Sequence, residues 1–414
     1  MAARWASAGG IHGVTGLGLV LALVALLADP LGLSSQPGFG SVQIAGFIAG
    51  LLLVAWGLTR GRPRLAGIRN RLLLSLGSLY FTLWIVELLL TYPLNPRADF
   101  KMPIVGLEGL YEIGEQTGYR MTPNYEGLFD DGIVRAPVQT NSRGDRDAEP
   151  RLDHPMSKRV LLLGDSQTWG HGLAAADTIQ ARIEHHAKTG LDAYCLGVPG
   201  YGAGDSLARY TEVDWWQGPT VVYIFFANDL QNDNVNPGGF TVYKGFPVPV
   251  YRPDGERYTE QEWDRVMAIT REHGHVSGEQ NPVRLTFTLV RLRKMLSRAF
   301  DRNARLIGYS DEHFGPDNVK TVLGHTAQMR ALAQERGAAF KVVVLPAVGE
   351  AAANEYSDWT REYVEGLVEG GYDHLELVEP LEREHYFGHD PHINAAGADL
   401  VAHAIAAYLE GDSA

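Results

Sequence analysis

The chain has 414 residues, of which 21% are charged, and a formal net charge of −13. Residues 1–91 contain six Arg, no Lys and two acidic residues, so the remaining 30 basic and 47 acidic residues carry the whole negative excess. A domain this acidic repels polyanions, which argues against nucleic acid as a partner. The single cysteine, Cys195, excludes an internal disulfide, and we expect it to be a small buried thiol.

Three apolar stretches occupy the start of the chain, at about 11–27, 42–58 and 72–90. Each approaches the ~20 residues that a helix needs to cross ~30 Å of hydrocarbon. A cleaved signal peptide explains the first stretch but neither of the others. The sequence therefore predicts an all-α transmembrane domain of three helices over residues 1–91.

The arginines of this domain predict its orientation. Five of them lie between the second and third stretches, whereas the connection at 29–41 has no basic residue. Because positively charged loops stay in the cytoplasm, we expect a multi-pass membrane protein with its N-terminus inside. Everything after Tyr92 then lies in the periplasm or outside the cell. Residues 92–157 are rich in proline and predict a connector to the next domain.

A short apolar run, Val160–Leu163, ends in Gly164, Asp165 and Ser166. The run is too short for a helix and is bounded by glycine, which indicates a buried strand. A serine at the carboxyl end of a strand lies where open α/β sheets bind their ligands. Its hydroxyl becomes a nucleophile once a base takes its proton. The alternative is a helix-capping serine in an ordinary turn between strand and helix.

Two later blocks also follow strands, and both offer hydrogen-bond donors. Gly200 comes shortly after a strand at 194–196 and can present its backbone N–H. The strand at 221–226 runs into Asn228, whose side-chain amide is then placed at a strand end. Donors of these two kinds stabilise the oxyanion that forms when a hydroxyl attacks an ester carbonyl.

A candidate base lies near the end of the chain, just before an apolar-periodic helix at about 398–409. Asp390 and His392 stand in this loop, and His385 and His389 are close in sequence. Such crowding makes a zinc site the alternative interpretation. The spacing is not a strong zinc pattern, however, and Pro391 breaks the helix that would align the ligands. We therefore expect neither a metal nor a cofactor.

In this order the four blocks resemble those of the SGNH (GDSL-type) hydrolases, over roughly residues 158–410. The resemblance implies Ser166 as the nucleophile and His392 as the general base, oriented by Asp390. It also implies an oxyanion hole made by the Ser166 N–H, the Gly200 N–H and the Asn228 side chain.

Two positions depart from the family's pattern, and one upstream element agrees with it. Phe226 stands where a glycine is usual, and Asp390 lies two residues before His392 rather than three. The element at 141–146, Asn-Ser-Arg-Gly-Asp-Arg, resembles one that precedes the serine block in membrane-anchored members of the family.

The rest of the chain from 158 to 414 alternates apolar strands with helices. This alternation predicts an α/β fold with a parallel sheet and helices on both faces. The resemblance implies the same flavodoxin-like sandwich. An insertion at about 230–282 predicts a lid over the serine, and its Tyr243, Phe246 and Tyr251 either line a pocket or anchor the loop. The basic segment at 283–302 predicts a surface helix, with a membrane-surface contact as the alternative.

Together these patterns predict a membrane-anchored serine esterase that removes acyl groups from an envelope glycan or lipid through an acyl-enzyme. If a sugar hydroxyl replaces water as the acceptor, the same residues give an O-acyltransferase that acetylates a polysaccharide. Such a transferase would need a partner protein or a soluble donor to supply the acyl group. A third interpretation is a non-catalytic glycan-binding envelope protein with the same fold.

Overall fold

The chain divides into two units, of which the first comprises Met1–Asp99 with Gly278–Lys294 and the second Phe100–Ser277 with Met295–Ala414. The computed structural model describes the following residues: 14–25, 49–54, 56–57, 71, 74–75, 77–78, 81–86, 109–130, 134–232, 240–250, 257–264, 302–307, 316–388 and 390–411.

In the first unit, the helical residues 14–25 pack against the helical residues 49–54 and 56–57 with their backbones close together. A Cβ atom on Gly18 would lie 2.6 Å from the carbonyl oxygen of Gly50, and one on Gly50 would lie 2.5 Å from the amide nitrogen of Ala22. Glycine is required here because any larger residue would separate the helices. Large apolar side chains point outward instead, and Leu17 is 61% exposed.

No helix in the described part of the chain is both long and apolar enough to cross a membrane. The predicted segment of three transmembrane helices is therefore not supported by these residues. The remainder of the stretches at 11–27, 42–58 and 72–90 lies outside the described residues.

The second unit is an α/β fold, as the alternating pattern predicts. Its described residues form these strands: β1 Tyr111–Glu112, β2 Arg120–Met121, β3 Glu126–Asp130, β4 Arg135–Gln139, β5 Arg159–Leu163, β6 Asp192–Cys195, β7 Thr220–Phe226, β8 Phe240–Tyr243, β9 Phe246–Pro249, β10 Ala339–Leu345 and β11 Asp373–Glu376.

Five of these strands form one parallel sheet in the order β6-β5-β7-β10-β11. Counted along the chain this is the order 2-1-3-4-5 of flavodoxin-like, doubly wound sheets. All five residues of β5 are buried, as expected for a strand covered on both faces. The strand order reverses between β5 and β7, and ligands of such sheets bind beyond the carboxyl ends of the strands at that point.

Helices of the described residues lie between the strands of this sheet, and the last helix follows its final strand. They are α1 Ser166–Trp169, α2 Ile179–His186, α3 Ala203–Thr211, α4 Asp229–Asn232, α5 Arg302–Ile307, α6 Pro316–Glu335, α7 Val348–Ala353, α8 Asp358–Glu369 and α9 Ala395–Glu410. α2 packs against α9, while α6 packs against both α3 and α8. These are the two groups expected when helices cover both faces of a parallel sheet.

The described residues of the predicted connector, 109–130 and 134–157, are a folded part of the second unit. They form two antiparallel hairpins, β1-β2 and β3-β4. Alternate residues of β4 are buried, so this hairpin has one apolar face. That face completes a second hydrophobic core, in which Met121 and Phe129 of the connector pack with Trp169, Val198 and Tyr201.

The element at 141–146 fixes the connector to the sheet through buried polar groups. The buried Asp145 carboxylate accepts hydrogen bonds from Arg209 of α3 (2.6 Å) and from the Tyr194 hydroxyl of β6 (2.8 Å). The side-chain amide of Asn141 donates to the same hydroxyl at 2.7 Å. A buried charge is stable only when it is paired in this way, so these contacts hold the connector in one place.

The described part of the 230–282 insertion contains the β8-β9 hairpin, whose aromatic side chains contact the insertion itself and the connector. The Tyr243 hydroxyl donates to Asp264 at 3.0 Å, and its ring contacts Trp263. Phe240 packs on Tyr119 of the connector, with 6.1 Å between ring centroids. The Phe246 side chain, Tyr251 and the basic segment up to residue 301 lie outside the described residues.

Candidate active site

Ser166 is the first residue of α1 and follows β5 after two residues. The turn depends on Gly164, which has φ +154° and whose Cβ would collide with Thr168. The N-cap of α1 is Asp165, whose carboxylate accepts from the Gln167 amide at 2.8 Å. Ser166 is therefore not the capping residue. Its hydroxyl has a long contact with the Asp165 carboxylate at 3.3 Å and a shorter one with a second partner.

That partner is His392. The Ser166 Oγ lies 2.8 Å from His392 Nε2, across 226 residues of sequence. On the other side of the ring, His392 Nδ1 makes a hydrogen bond to the Asp390 carboxylate, which also accepts from the His392 backbone amide at 2.9 Å. Burial by itself would raise the pKa of the Asp390 carboxyl. The hydrogen bond from His392 and the charge of that ring outweigh burial and lower the pKa of Asp390 below its ordinary value. Asp390 therefore contacts the His392 ring directly, although it lies two residues before His392 rather than the usual three.

Gly200 and Asn228 lie at the ends of the two strands that flank β5. Gly200 has φ +84°, a conformation that glycine adopts without strain. Asn228 donates one amide hydrogen to the Asp165 carboxylate at 2.9 Å. A primary amide has two hydrogens, so this contact orients Asn228 and leaves its second hydrogen as a donor. Phe226, at the position where the family has glycine, donates its amide hydrogen to Asp229 at 3.1 Å.

Gln167 is a site residue that the sequence did not indicate. Its side chain is 1% exposed and spans the loop that carries His392. Its Nε2 donates to the carbonyl oxygen of Pro391 at 3.2 Å, and its Oε1 accepts from the amide of Ile393 at 3.1 Å. Both backbone neighbours of the base are therefore attached to the residue that follows the nucleophile. This contact fixes the position of the base relative to the serine.

We expect Gln167→Leu to lower kcat by about tenfold, with little change in KM, because the leucine fills the same space but releases the loop. Steady-state kinetics measure the effect. Gln180→Leu is the matched control, since Gln180 is also buried and donates at 3.0 Å to the backbone of Arg146, away from the base. An equal loss of kcat in both variants would contradict a specific role for Gln167.

His171 stacks on the base. The two rings are 3.8 Å apart between centroids and inclined by 14°, and the edge of Phe129 contacts His171 from another side. His171 Nε2 lies 3.9 Å from the second oxygen of Asp390. The aromatic contacts restrict the orientation of the His392 ring. His171 belongs to the same block as Ser166, yet nothing in its spacing predicted this contact.

The group of His171, Asp390 and His392 has the donor types of a metal site. Its geometry does not fit one, because the nitrogen lone pairs lie in the planes of the two rings, and these rings are stacked with their planes inclined by only 14°. Tetrahedral ligation requires that those lone pairs converge on one point. Two other histidines belong to the zinc site that the sequence offers as an alternative. His385 accepts a hydrogen bond from the Glu382 amide at 2.9 Å, and His389 lies outside the described residues.

Cys195 lies at the end of β6 and is fully buried. Its thiol contacts the carbonyl oxygen of Thr168 at 3.3 Å, and burial raises its pKa well above the ordinary value. A thiol that stays protonated is a poor nucleophile. Cys195 therefore packs behind the nucleophile helix and takes no part in the chemistry of the site.

Comparisons with known proteins do not establish the function of this chain, so the function is inferred from the geometry of the site. No protein-family model and no curated protein matches the chain. A carbohydrate acetylesterase family member from Sinorhizobium meliloti is 11% identical with a TM-score of 0.31, and the match covers 61% of this chain and 98% of that one. The acetyl xylan esterase Est2A from Butyrivibrio proteoclasticus is 11% identical with a TM-score of 0.33, over 62% of this chain and 64% of that one. TM-scores this low establish neither the fold family nor the activity of this chain.

Proposed function

We propose that the second unit is a serine esterase of the SGNH type. The observation that carries the proposal is the chain of hydrogen bonds from Ser166 through His392 to Asp390. It lies at the switch point of a doubly wound sheet, beside the ends of the strands that carry Gly200 and Asn228. A hydroxyl, a base and an orienting carboxylate in this sequence are the parts that covalent acyl transfer requires.

In the first half of the proposed reaction, the Ser166 hydroxyl attacks the ester carbonyl and its proton passes to His392 Nε2. The negative oxygen accepts hydrogen bonds from the N–H groups of Ser166 and Gly200 and from the Asn228 amide. Asp390 holds the ring and stabilises the imidazolium that forms. His392 then gives the proton to the leaving alcohol, and the acyl group remains on Ser166.

In the second half, the O–H group of an acceptor attacks the acyl-enzyme and His392 takes its proton. The bond between Ser166 Oγ and the acyl carbon then breaks, and His392 returns the proton to Ser166 Oγ. Water as the acceptor gives an esterase, which we propose as the main activity, with an ester-bearing glycan or lipid of the cell envelope as the substrate. A sugar hydroxyl as the acceptor gives an O-acyltransferase with the same residues in the same roles. In that case an envelope-modification partner would supply the acyl group.

We also propose that the first unit anchors the protein in a membrane, with the catalytic unit in the periplasm or outside the cell. The contact between backbones at Gly18 and Gly50 is typical of helix packing in lipid, where small residues face inward. Leu17, Val20 and Leu74 are 61%, 59% and 75% exposed, a distribution that water disfavours and lipid does not. The full chain should stay with membranes through an alkaline wash, and its release would contradict the anchor.

The experiment that tests the catalytic proposal is a search for the acyl-enzyme. The full chain in detergent is mixed with p-nitrophenyl acetate, quenched and digested, and the peptide that contains Ser166 is weighed by mass spectrometry. We expect a peptide heavier by one acetyl group, together with release of p-nitrophenol. Sugar acceptors that speed the loss of the acetyl group and become acetylated would favour the transferase. A folded protein that neither releases p-nitrophenol nor acquires an acetyl group would favour a non-catalytic glycan-binding module.

A further inference from the structure

We propose that Tyr119 is a positioning residue that sets the oxyanion hole before substrate binds. The inference rests on the proposed function, because it assigns a cause to the orientation of the Gly200 N–H. Tyr119 belongs to the connector and lies 80 residues before the loop that it holds. It is in none of the four blocks.

The contact that carries the inference joins the Tyr119 hydroxyl to the oxyanion loop. The hydroxyl donates to the carbonyl oxygen of Pro199 at 2.9 Å. Pro199 and Gly200 share one peptide plane, and this peptide is trans. In a trans peptide the carbonyl and the following N–H point in opposite directions. A hydrogen bond that fixes the Pro199 carbonyl therefore also fixes the direction of the Gly200 N–H.

The loop needs such a fixed point because Gly200 is a glycine with positive φ. Glycine has the widest choice of backbone conformations, so the peptide on its amino side can rotate at little cost. The Tyr119 hydroxyl would lie 2.8 Å from a Cβ atom on Gly200, so it also occupies the space that a rearranged loop would use. Tyr119 thus restricts the backbone rotation that Gly200 would otherwise allow.

Tyr119 itself is held on several sides. Its ring contacts those of Tyr111 and Tyr201 at centroid distances of 5.7 and 5.4 Å, and the Tyr201 hydroxyl donates to its carbonyl oxygen at 2.6 Å. Two residues later, Met121 accepts a hydrogen bond from the Trp169 indole of the nucleophile helix. The segment 119–121 therefore contacts both the nucleophile helix and the oxyanion loop, and fixes one relative to the other.

The chemistry of the hydroxyl suits a permanent tether. Tyr119 is 7% exposed, and burial, followed by the nearby Tyr201, raises its pKa well above the ordinary value for tyrosine. The hydroxyl stays protonated over the whole range in which an esterase is assayed, so it remains a donor to Pro199. Catalytic donors are effective when they are already oriented toward the position where charge develops. The tether supplies that orientation without touching the substrate.

Tyr119→Phe in the full chain tests the inference, because it removes only the hydroxyl. We expect kcat for p-nitrophenyl acetate to fall by about tenfold, which is less than the ~10²–10³ expected for loss of a whole oxyanion donor. KM should change by less than about twofold, since the developing charge exists only in the transition state. Tyr386→Phe is the matched control: Tyr386 is also buried, and its hydroxyl donates at 2.6 Å to the carbonyl oxygen of Pro346, a peptide that contributes no donor.

Hydrogen exchange of the peptide that spans residues 197–202, followed by mass spectrometry, gives a readout that does not depend on activity. Exchange should be faster in Tyr119→Phe than in the wild type and unchanged in Tyr386→Phe. An unchanged kcat in Tyr119→Phe, or unchanged exchange in that peptide, would overturn the role of Tyr119. A wild type without Ser166-dependent turnover would instead overturn the proposed function, and the exchange experiment would still decide whether Tyr119 holds the loop.

Discussion

Replacing Ser166 with alanine should lower kcat/KM for p-nitrophenyl acetate by about 10⁴-fold or more, with no large change in thermal stability. The hydroxyl is the atom that forms the acyl-enzyme, and the residual rate would come only from binding and from the oxyanion donors. His392→Ala should have a similar effect, because Ser166 cannot lose its proton to any other group that it contacts as closely. The change to alanine removes only one oxygen from a residue that is 7% exposed, so the fold should tolerate it.

The effects of Ser166→Ala and His392→Ala on kcat/KM should not be additive. Residues that act in one step depend on each other, so the double variant should be about as slow as either single variant. Ser206→Ala is the matched control, since Ser206 is 3% exposed and its hydroxyl has no hydrogen-bond partner within the described residues. We expect that variant to keep the wild-type rate. Ser166→Ala with full activity would remove the serine from the mechanism and leave the site without a nucleophile.

Replacing Asn228 with alanine should lower kcat by about 10²- to 10³-fold and change KM little, because its amide stabilises charge that is present only in the transition state. The Asp165 carboxylate also loses one of its hydrogen-bond donors in this variant, so part of the effect can come from a shift of the turn that carries Ser166. Hydrogen exchange of the peptide that spans residues 164–170 separates the two causes. A displaced turn would exchange faster than in the wild type, whereas loss of the oxyanion donor alone would leave the exchange unchanged.

Asn318→Ala is the control for Asn228. Like Asn228, Asn318 donates a hydrogen bond from its side-chain amide. The acceptor, at 2.7 Å, is the carbonyl oxygen of Leu230 in the helix that follows Asn228. Its loss should affect stability but not kcat. If Asn228→Ala and Asn318→Ala lose the same small fraction of activity, Asn228 is not an oxyanion donor and the Gly200 and Ser166 amides act alone.

The strands of the parallel sheet are predictable because each one is indicated by the composition of a few consecutive residues. The run Val160–Leu163 is apolar at every position, and Lys341–Leu345 is apolar at every position after the lysine, a composition typical of a strand buried on both faces. They correspond to β5 and β10 with shifts of one or two residues at the amino ends. Parallel strands place their carboxyl ends at one edge, so the residues that follow them were expected to meet there. The placement of Ser166 and Asn228 follows from that geometry.

Contacts between distant segments could not be predicted in the same way. The connector was expected to be a proline-rich link, whereas in the structure it forms two hairpins and contributes Tyr119 and Met121 to the core beside the site. Its strands are only two to five residues long, too short for a clear period in the sequence. Their stability comes from the surface on which they pack, and that surface exists only after the sheet has formed.

The sequence by itself determined the α/β class, the order of the five parallel-sheet strands along the chain and the residue types at the ends of three strands. These properties depend on hydrophobic period and on turn chemistry, which act over a few neighbouring residues. Only the tertiary structure decided which side chains hold the site in place. Gln167 attaches to both neighbours of His392, His171 stacks on that ring, and Tyr119 fixes the Pro199 carbonyl. The physical reason is that such contacts join segments tens to hundreds of residues apart, so their hydrogen-bond partners and packing exist only in the folded chain.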